Sequence, residues 1–312
     1  MPDVPPDETP DNDFDDFEDP GDEESGGVRI PVSHNPAGNP FPRFNFFAPN
    51  LSFLDEQIRR SLAGLVPKVD VKWTPDMSAH FRGLIFPDLR QTMAPLFEQI
   101  REWMPPNWPT GIDHKQVVTV FQDEGLPIVW VPRREIVEEM LAAPDRDARI
   151  QILLARTTEV VEDCREVLTA VTHPRLAGQL PLVAKAIDAF GAGHQEAAQA
   201  LAVVATETVV ARALGGYKAV KQQVSFDPER VTISQLRLRA ALAPIGVFYT
   251  TWYPSSGTPA PTELSRHVTV HQADLKHYTP GNAVVAVLLA ASVIRAIQEL
   301  YEIVDRQGQA NP

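Results

Sequence analysis

The stretch Thr279-Pro-Gly-Asn-Ala-Val-Val-Ala-Val-Leu-Leu-Ala-Ala-Ser-Val-Ile294 decides how this chain folds. Thr279 can accept a hydrogen bond from a first-turn N–H, and Pro280 suits the first helical position, where its missing donor costs nothing. The run Ala283 to Ile294 is the most apolar in the chain, and helical spacing continues to about Val304. Twelve residues fall short of the roughly 20 that a bilayer span needs. The run therefore reads as part of a long helix in a helical bundle, with no membrane partner.

Working outward, apolar residues recur every three to four positions along most of the chain, the mark of helices that bury one face. Pro132 opens a helix through about Leu141. Asp145 starts a long one whose stripe is Ile150, Leu153, Leu154, Val160, Val161, Cys164 and Val167. Pro174 and Gly191-Ala-Gly193 punctuate two further helices, the second running to Leu214 with Gly215-Gly216 as its C-cap. Another is expected from about Ser234 to Tyr249, followed by a Pro/Ser/Gly loop, Thr250 to Pro261, and a helix beginning near Thr262. Val117 to Val131 is ambiguous. It can pair as a hairpin around Asp123-Glu-Gly, or form a short helix, a stop at Gly125 and a connector. The second option is preferred because nothing else in the chain reads as a strand. The expected fold class is all-α.

The formal charge of −13 is unevenly placed. Residues 1–27 hold twelve of the 41 acids and none of the 28 bases, leaving 29 acids against 28 bases in the rest. Such an acidic, Pro-rich segment cannot bury enough surface to offset chain entropy, and is expected to be a disordered tail. It is either a solubilising tail or a nucleic-acid mimic that occupies a basic groove of the same protein or of a protein partner. Residues 28–50 form an arm rich in Phe, Pro and Asn, including Phe41, Phe44, Phe46 and Phe47. Residues 51–143 read as an irregular helical portion, with Ser52 capping a helix through Leu65 and a further helix over 89–103. Residues 144–312 read as the C-terminal bundle. With Cys164 alone no intrachain disulfide can form, and the N-terminus is acidic where a signal peptide is basic, so a cytoplasmic location is expected.

One constellation carries chemistry. In Ser265-Arg-His-Val-Thr-Val-His-Gln, an arginine is followed five positions later by a histidine, just before the long apolar helix. Histidine accepts or donates a proton near neutral pH, and arginine grips phosphate with a planar fork of donors. Arg266, His267 and His271 together suit cleavage of RNA without a metal or other cofactor. On an ideal α-helix five residues turn through about 140°, so Arg266 and His271 would not share a face. Residues 212–239 add six bases (Arg212, Lys218, Lys221, Arg230, Arg237, Arg239) against Asp227 and Glu229. Lys218, Lys221, Arg237 and Arg239 are the expected substrate-binding residues, although a solvated face explains them equally well.

Arg266, the polar His267 after it, His271 and the helix from Pro280 resemble the C-terminal half of HEPN-type proteins, an all-α family rich in metal-independent ribonucleases. The resemblance covers roughly the last hundred residues. It implies that His271 is the general base or acid acting on a ribose 2′-hydroxyl, that Arg266 holds the scissile phosphate, and that His267 orients a partner or contacts phosphate. It also implies a 2′,3′-cyclic phosphate product, a homodimer in which both motifs face one cleft, and a setting in toxin or phage-defence biology. Gln272 departs from the pattern, which often has a small residue there. Glu207 and Asp163 are the best candidates for a supporting acid. A longer resemblance, through Glu124-Gly-Leu-Pro-Ile-Val-Trp-Val-Pro-Arg and Trp252-Tyr-Pro-Ser-Ser-Gly-Thr-Pro, is to actinobacterial and phage proteins largely without assigned function.

Other readings compete. Arg266 and His271 can be simple helix–helix contacts in a non-catalytic interaction or regulatory protein of phage or prophage origin. His267 and His271 share a face at this spacing and can ligate a metal with His277 or Asp274, but the glutamate of a His-Glu-x-x-His site is absent. No Walker loop, dinucleotide fingerprint or Gly-x-Ser-x-Gly elbow is present.

Overall fold

The computed structural model describes residues 103–109, 113–215, 217–227, 231 and 233–310. The acidic tail, the 28–50 arm, the helix expected from Ser52 and all but Trp103 of the helix expected over 89–103 lie outside these residues. The described part is all-α: residues 115–306 are 71% helical, with no strand among them.

Helix α1 (His114–Val118) continues into a π-turn over Thr119–Asp123 and stops at Gly125. The Val117–Val131 span is thus a short helix followed by a connector. Gly125 is required twice over. Its φ is +66°, and a Cβ there would lie 2.8 Å from Cβ of Val247. Asn107 ties the connector down, donating to the carbonyls of Ile128 (3.1 Å) and Pro132 (2.7 Å) and accepting from Trp130 N–H at 2.9 Å. Arg149, 4% exposed, pairs with Glu124 at 2.8 Å.

Helix α2 spans Arg134–Ala142 and α3 spans Arg146–Ala155, capped by the Asp145 carboxylate on Ala148 N–H at 2.8 Å. The long helix expected from Asp145 is divided: α4 (Thr157–Thr169) begins after Arg156, where the Thr157 hydroxyl donates to the Leu154 carbonyl at 2.7 Å. A side-chain bond of that kind competes with the helical ladder. Next come α5 (Leu180–Gly191), α6 (Gln195–Leu214), α7 (Tyr217–Val224) and α8 (Ile233–Leu242). The helix expected to reach Tyr249 is also split. Pro244 lacks an N–H and disfavours helix at Ala243, so a separate α9 covers Ile245–Phe248. The last helix, α10, spans Pro280–Ala310, with Thr279 Oγ1 accepting from Asn282 N–H at 3.1 Å.

The core is built on α6 against α10, with α4, α5, α8 and α3 packed around the pair. Ala198, Ala202 and Ala205 on α6 and Ala286, Ala290 and Ala291 on α10 are fully shielded, and such small side chains let helix axes approach closely. The same apolar cluster includes Trp108, Phe121, Ile128 and Met140, so the connector and α2 share the core of the bundle. By length and hydropathy, α6 and α10 would each be long enough to cross a membrane. The most apolar window of α10 is 89% buried within the protein, which is equally the signature of a core helix.

Candidate functional site

The motif does not begin as a helix at Thr262. Residues 261–265 are irregular, and Ser265 caps a helix that starts at Arg266, its hydroxyl accepting from Val268 N–H at 3.4 Å. Ser265 is itself held by His277, whose Nε2 accepts the Ser265 N–H at 3.2 Å. His277 is 6% exposed. Burial pushes its imidazole below the ordinary value of 6.5, against opposing contributions from backbone hydrogen bonds at Ser265 and Pro261 and from Asp274 and Glu263.

After His267 the backbone widens into a π-turn, Val268–Gln272, closed by Ala273 N–H on the Val268 carbonyl at 3.1 Å. Ala273 stands in the left-handed region at φ +44°, a conformation that costs a non-glycine residue about 1 kcal/mol. In i→i+5 bonding, residues five apart lie about one turn apart. The 140° separation of an α-helix therefore does not apply, and the slower winding carries His271 back toward the Arg266 side. The turn is pinned through Thr269 by Gln199 and Tyr278, and the segment after it through the His277 carbonyl. Gln199 on α6 donates to Thr269 Oγ1 (3.2 Å) and the His277 carbonyl (3.3 Å), Tyr278 Oη donates to the Thr269 carbonyl (2.8 Å), and Asn282 Nδ2 donates to the His277 carbonyl (2.9 Å).

Arg266 points from this turn to α6, where its Nε donates to Glu207 Oε1 at 2.5 Å. Both side chains are 26% exposed. The guanidinium carbon lies 5.4 Å from the ring centre of Tyr249, a cation–π contact. Of the two acids suggested by the sequence, Glu207 is the one at the motif. Asp163 lies elsewhere, accepting from Arg133 Nε at 2.8 Å and from its backbone N–H at 2.7 Å.

His267 sits among rings. Its centre is 4.8 Å from Tyr253, 4.9 Å from His271 and 6.4 Å from Trp252, with both aromatic rings nearly perpendicular to it. Partial burial, then His271 and Arg266, lower its pKa from 6.5, so His267 is mainly neutral at neutral pH and one ring nitrogen can accept a proton. His271 is exposed. A fixed cation, a neutral imidazole and a second, solvent-facing imidazole are thus within one turn of backbone.

The expected substrate-binding residues do not form one surface. Arg237 is turned onto Glu299 of α10 through two bonds of 3.0 and 2.7 Å, and Arg239, 8% exposed, donates to the Gln223 carbonyl. Lys221 is exposed and reaches Thr251 Oγ1 at 3.5 Å, beside the Trp252–Tyr253 loop. The Lys218 side chain lies outside the described residues. His277 is also separated from a metal-ligand role, because its Nε2 is engaged by Ser265, and no group of three or more potential metal ligands converges among the described residues.

Sequence reading alone did not single out Tyr249, Tyr253, Gln199 or the latch at His277. The closeness of Tyr249, Trp252 and Tyr253 to the motif in sequence was the one available signal for the aromatic part. An open groove of about 670 Å³ lies between the starts of α3 and α10. It is lined by Asp145, Asp147 and Glu263 against Arg146, a charge balance unsuited to phosphate, and contains none of Arg266, His267 and His271. No protein-family model, curated protein or solved structure matches this chain.

Proposed function

We propose that this chain is a metal-independent endoribonuclease of HEPN type, acting in the cytoplasm as a toxin or phage-defence effector. The observation that supports it best is the Arg266–Glu207 pair beside the His267–His271 rings. Nε of Arg266 is engaged by Glu207, and among the described residues this is the guanidinium's one hydrogen bond, so its terminal nitrogens are available to a phosphate. The neutral His267, or His271 in its unprotonated form, takes the proton of a ribose 2′-hydroxyl, and the other imidazole protonates the leaving 5′-oxygen. Attack of the 2′-oxygen on phosphorus yields a 2′,3′-cyclic phosphate, with Arg266 stabilising the charge that develops on the equatorial oxygens.

The active form is a homodimer. Val204 on α6 (48% exposed), Val270 on the π-turn (39%) and Leu275 just after it (72%) are exposed apolar residues on the elements that carry the motif. A second copy covering them would bring two motifs into one cleft. The same three residues favour a second reading, a non-catalytic helical protein that uses this face to bind a different partner. The deciding experiment is RNA cleavage in EDTA by the purified wild type, Arg266→Ala and His271→Ala. Loss of cleavage in both variants, with folding intact, supports the nuclease. Wild-type protein without activity, or variants as active as wild type, would leave the interaction reading.

A further inference from the structure

We propose that Tyr253 is a stacking platform for an unpaired base flanking the scissile phosphate, and hence the residue by which the site selects unpaired RNA over duplex. The proposal rests on the nuclease reading for the position of the phosphate, and on the following geometry for the base. Tyr253 is 53% exposed, one of the few large apolar side chains left open among the described residues, and its ring centre is 4.8 Å from that of His267. A planar group lying on Tyr253 is therefore close to the His267 imidazole. Base–aromatic stacking is tolerant of sequence, because every base presents a π-face, but it requires a base removed from a helical stack.

The loop that carries Tyr253 is tied by its own hydrogen bonds. Trp252, its neighbour, is anchored by its indole N–H on the Thr258 carbonyl at 3.0 Å. Ser256 Oγ and Thr258 Oγ1 are 2.7 Å apart, and the turn over Pro254–Ser256 closes through Gly257 at φ +68°, where only glycine is unstrained. Trp252 spends its one side-chain donor inside the loop, whereas Tyr253 stands outward. Lys221 Nζ reaches Thr251 Oγ1 at 3.5 Å, two residues before Tyr253. Ordering the loop in advance lowers the entropy lost when a nucleotide binds.

The test uses the full-length protein and a short random-sequence single-stranded RNA in two forms. One is unmodified, for cleavage in EDTA. The other carries 2′-O-methyl riboses, which cannot be cleaved through the 2′-oxygen, for binding by fluorescence anisotropy. Tyr253→Ala is expected to weaken binding of the methylated strand by about 5- to 100-fold, the range of alanine substitutions at stacking aromatics. It should raise KM by a similar factor, and Tyr253→Phe should restore both. Binding of a fully paired duplex should be weak in the wild type and the same in Tyr253→Ala. Equal binding by wild type and Tyr253→Ala, an equal loss on duplex, or no single-strand binding by wild type would each overturn the platform. If no strand is cleaved by wild type but Tyr253→Ala still lowers single-strand binding, the nuclease reading fails and the platform stands. Exposure of the residue keeps folding out of the comparison, and a matching thermal melt verifies that.

Discussion

Arg266, two residues before the π-turn, donates its Nε–H to Glu207 on α6 at 2.5 Å, across 59 residues of sequence. The acid holds the guanidinium through Nε, and Tyr249 lies against it, with the guanidinium carbon 5.4 Å from the ring centre. With both side chains about a quarter exposed, the pair contributes no more than about 1 kcal/mol to stability. Glu207→Gln is therefore expected to melt close to wild type while RNA cleavage falls by about tenfold or more. An unchanged rate at an unchanged melting temperature would show that Glu207 does not position Arg266.

Gly125 permits the connector to pass under α9, the helix that leads into Tyr249. Gly125→Ala imposes a left-handed alanine and a contact 2.8 Å from Val247. The expected loss is about 2 kcal/mol or more, read as a lowered urea midpoint. Ala273 presents the opposite case, a non-glycine residue at φ +44°. Ala273→Gly relieves that strain and is expected to change stability by about +0.5 to +1 kcal/mol, reduced by the greater freedom of glycine in the unfolded chain. A drop in cleavage in a stabler Ala273→Gly protein would indicate that the turn's exact shape matters to the site.

Acidification should loosen the motif. The folded pKa values of His277 and His267 lie below 6.5, so around and below that pH the unfolded chain binds more protons than the native one. Stability then rises with pH through the window between the folded values and 6.5, and is lost as pH falls through it. At His277 the structural reason is direct: protonating Nε2 turns the acceptor of the Ser265 N–H into a donor, while Asp274 and Glu263 nearby moderate the effect. Urea melts from about pH 8 to about pH 5 should show this slope, and His277→Ala should be less stable at the upper end with a flatter profile. A variant with the wild-type slope would assign the pH dependence to other groups.

Cys164 is fully buried on α4, and burial, with Asp163 beside it, pushes its thiol far above the ordinary range. The thiolate is the reactive form. Alkylation by iodoacetamide should therefore be negligible in the native protein and rapid only after unfolding. Fast native-state labelling would show that α4 opens locally.

The helices were legible because their causes are local. The three-to-four spacing in α4, the Asp145 and Thr279 caps and the Pro280 start are features that neighbouring residues enforce on one another. Where expectation and structure differ, a local competitor was overlooked: the Thr157 hydroxyl that divides α3 from α4, and Pro244 that divides α8 from α9. The basic segment shows the limit of counting charge. Arg237 and Arg239 add to the positive total in the sequence, yet both guanidiniums are engaged inside the fold.

The sequence by itself determined the all-α class and put Arg266, His267 and His271 into one short motif, since period, caps and residue order need no distant partner. Only the tertiary structure decided the shape of that motif. The π-turn is held by Gln199, His277 and Tyr278, the arginine by Glu207, and His267 by the rings of Trp252 and Tyr253. Gln199 and Glu207 are brought to the motif by the packing of α6, and no helical period records which side chains that packing places together.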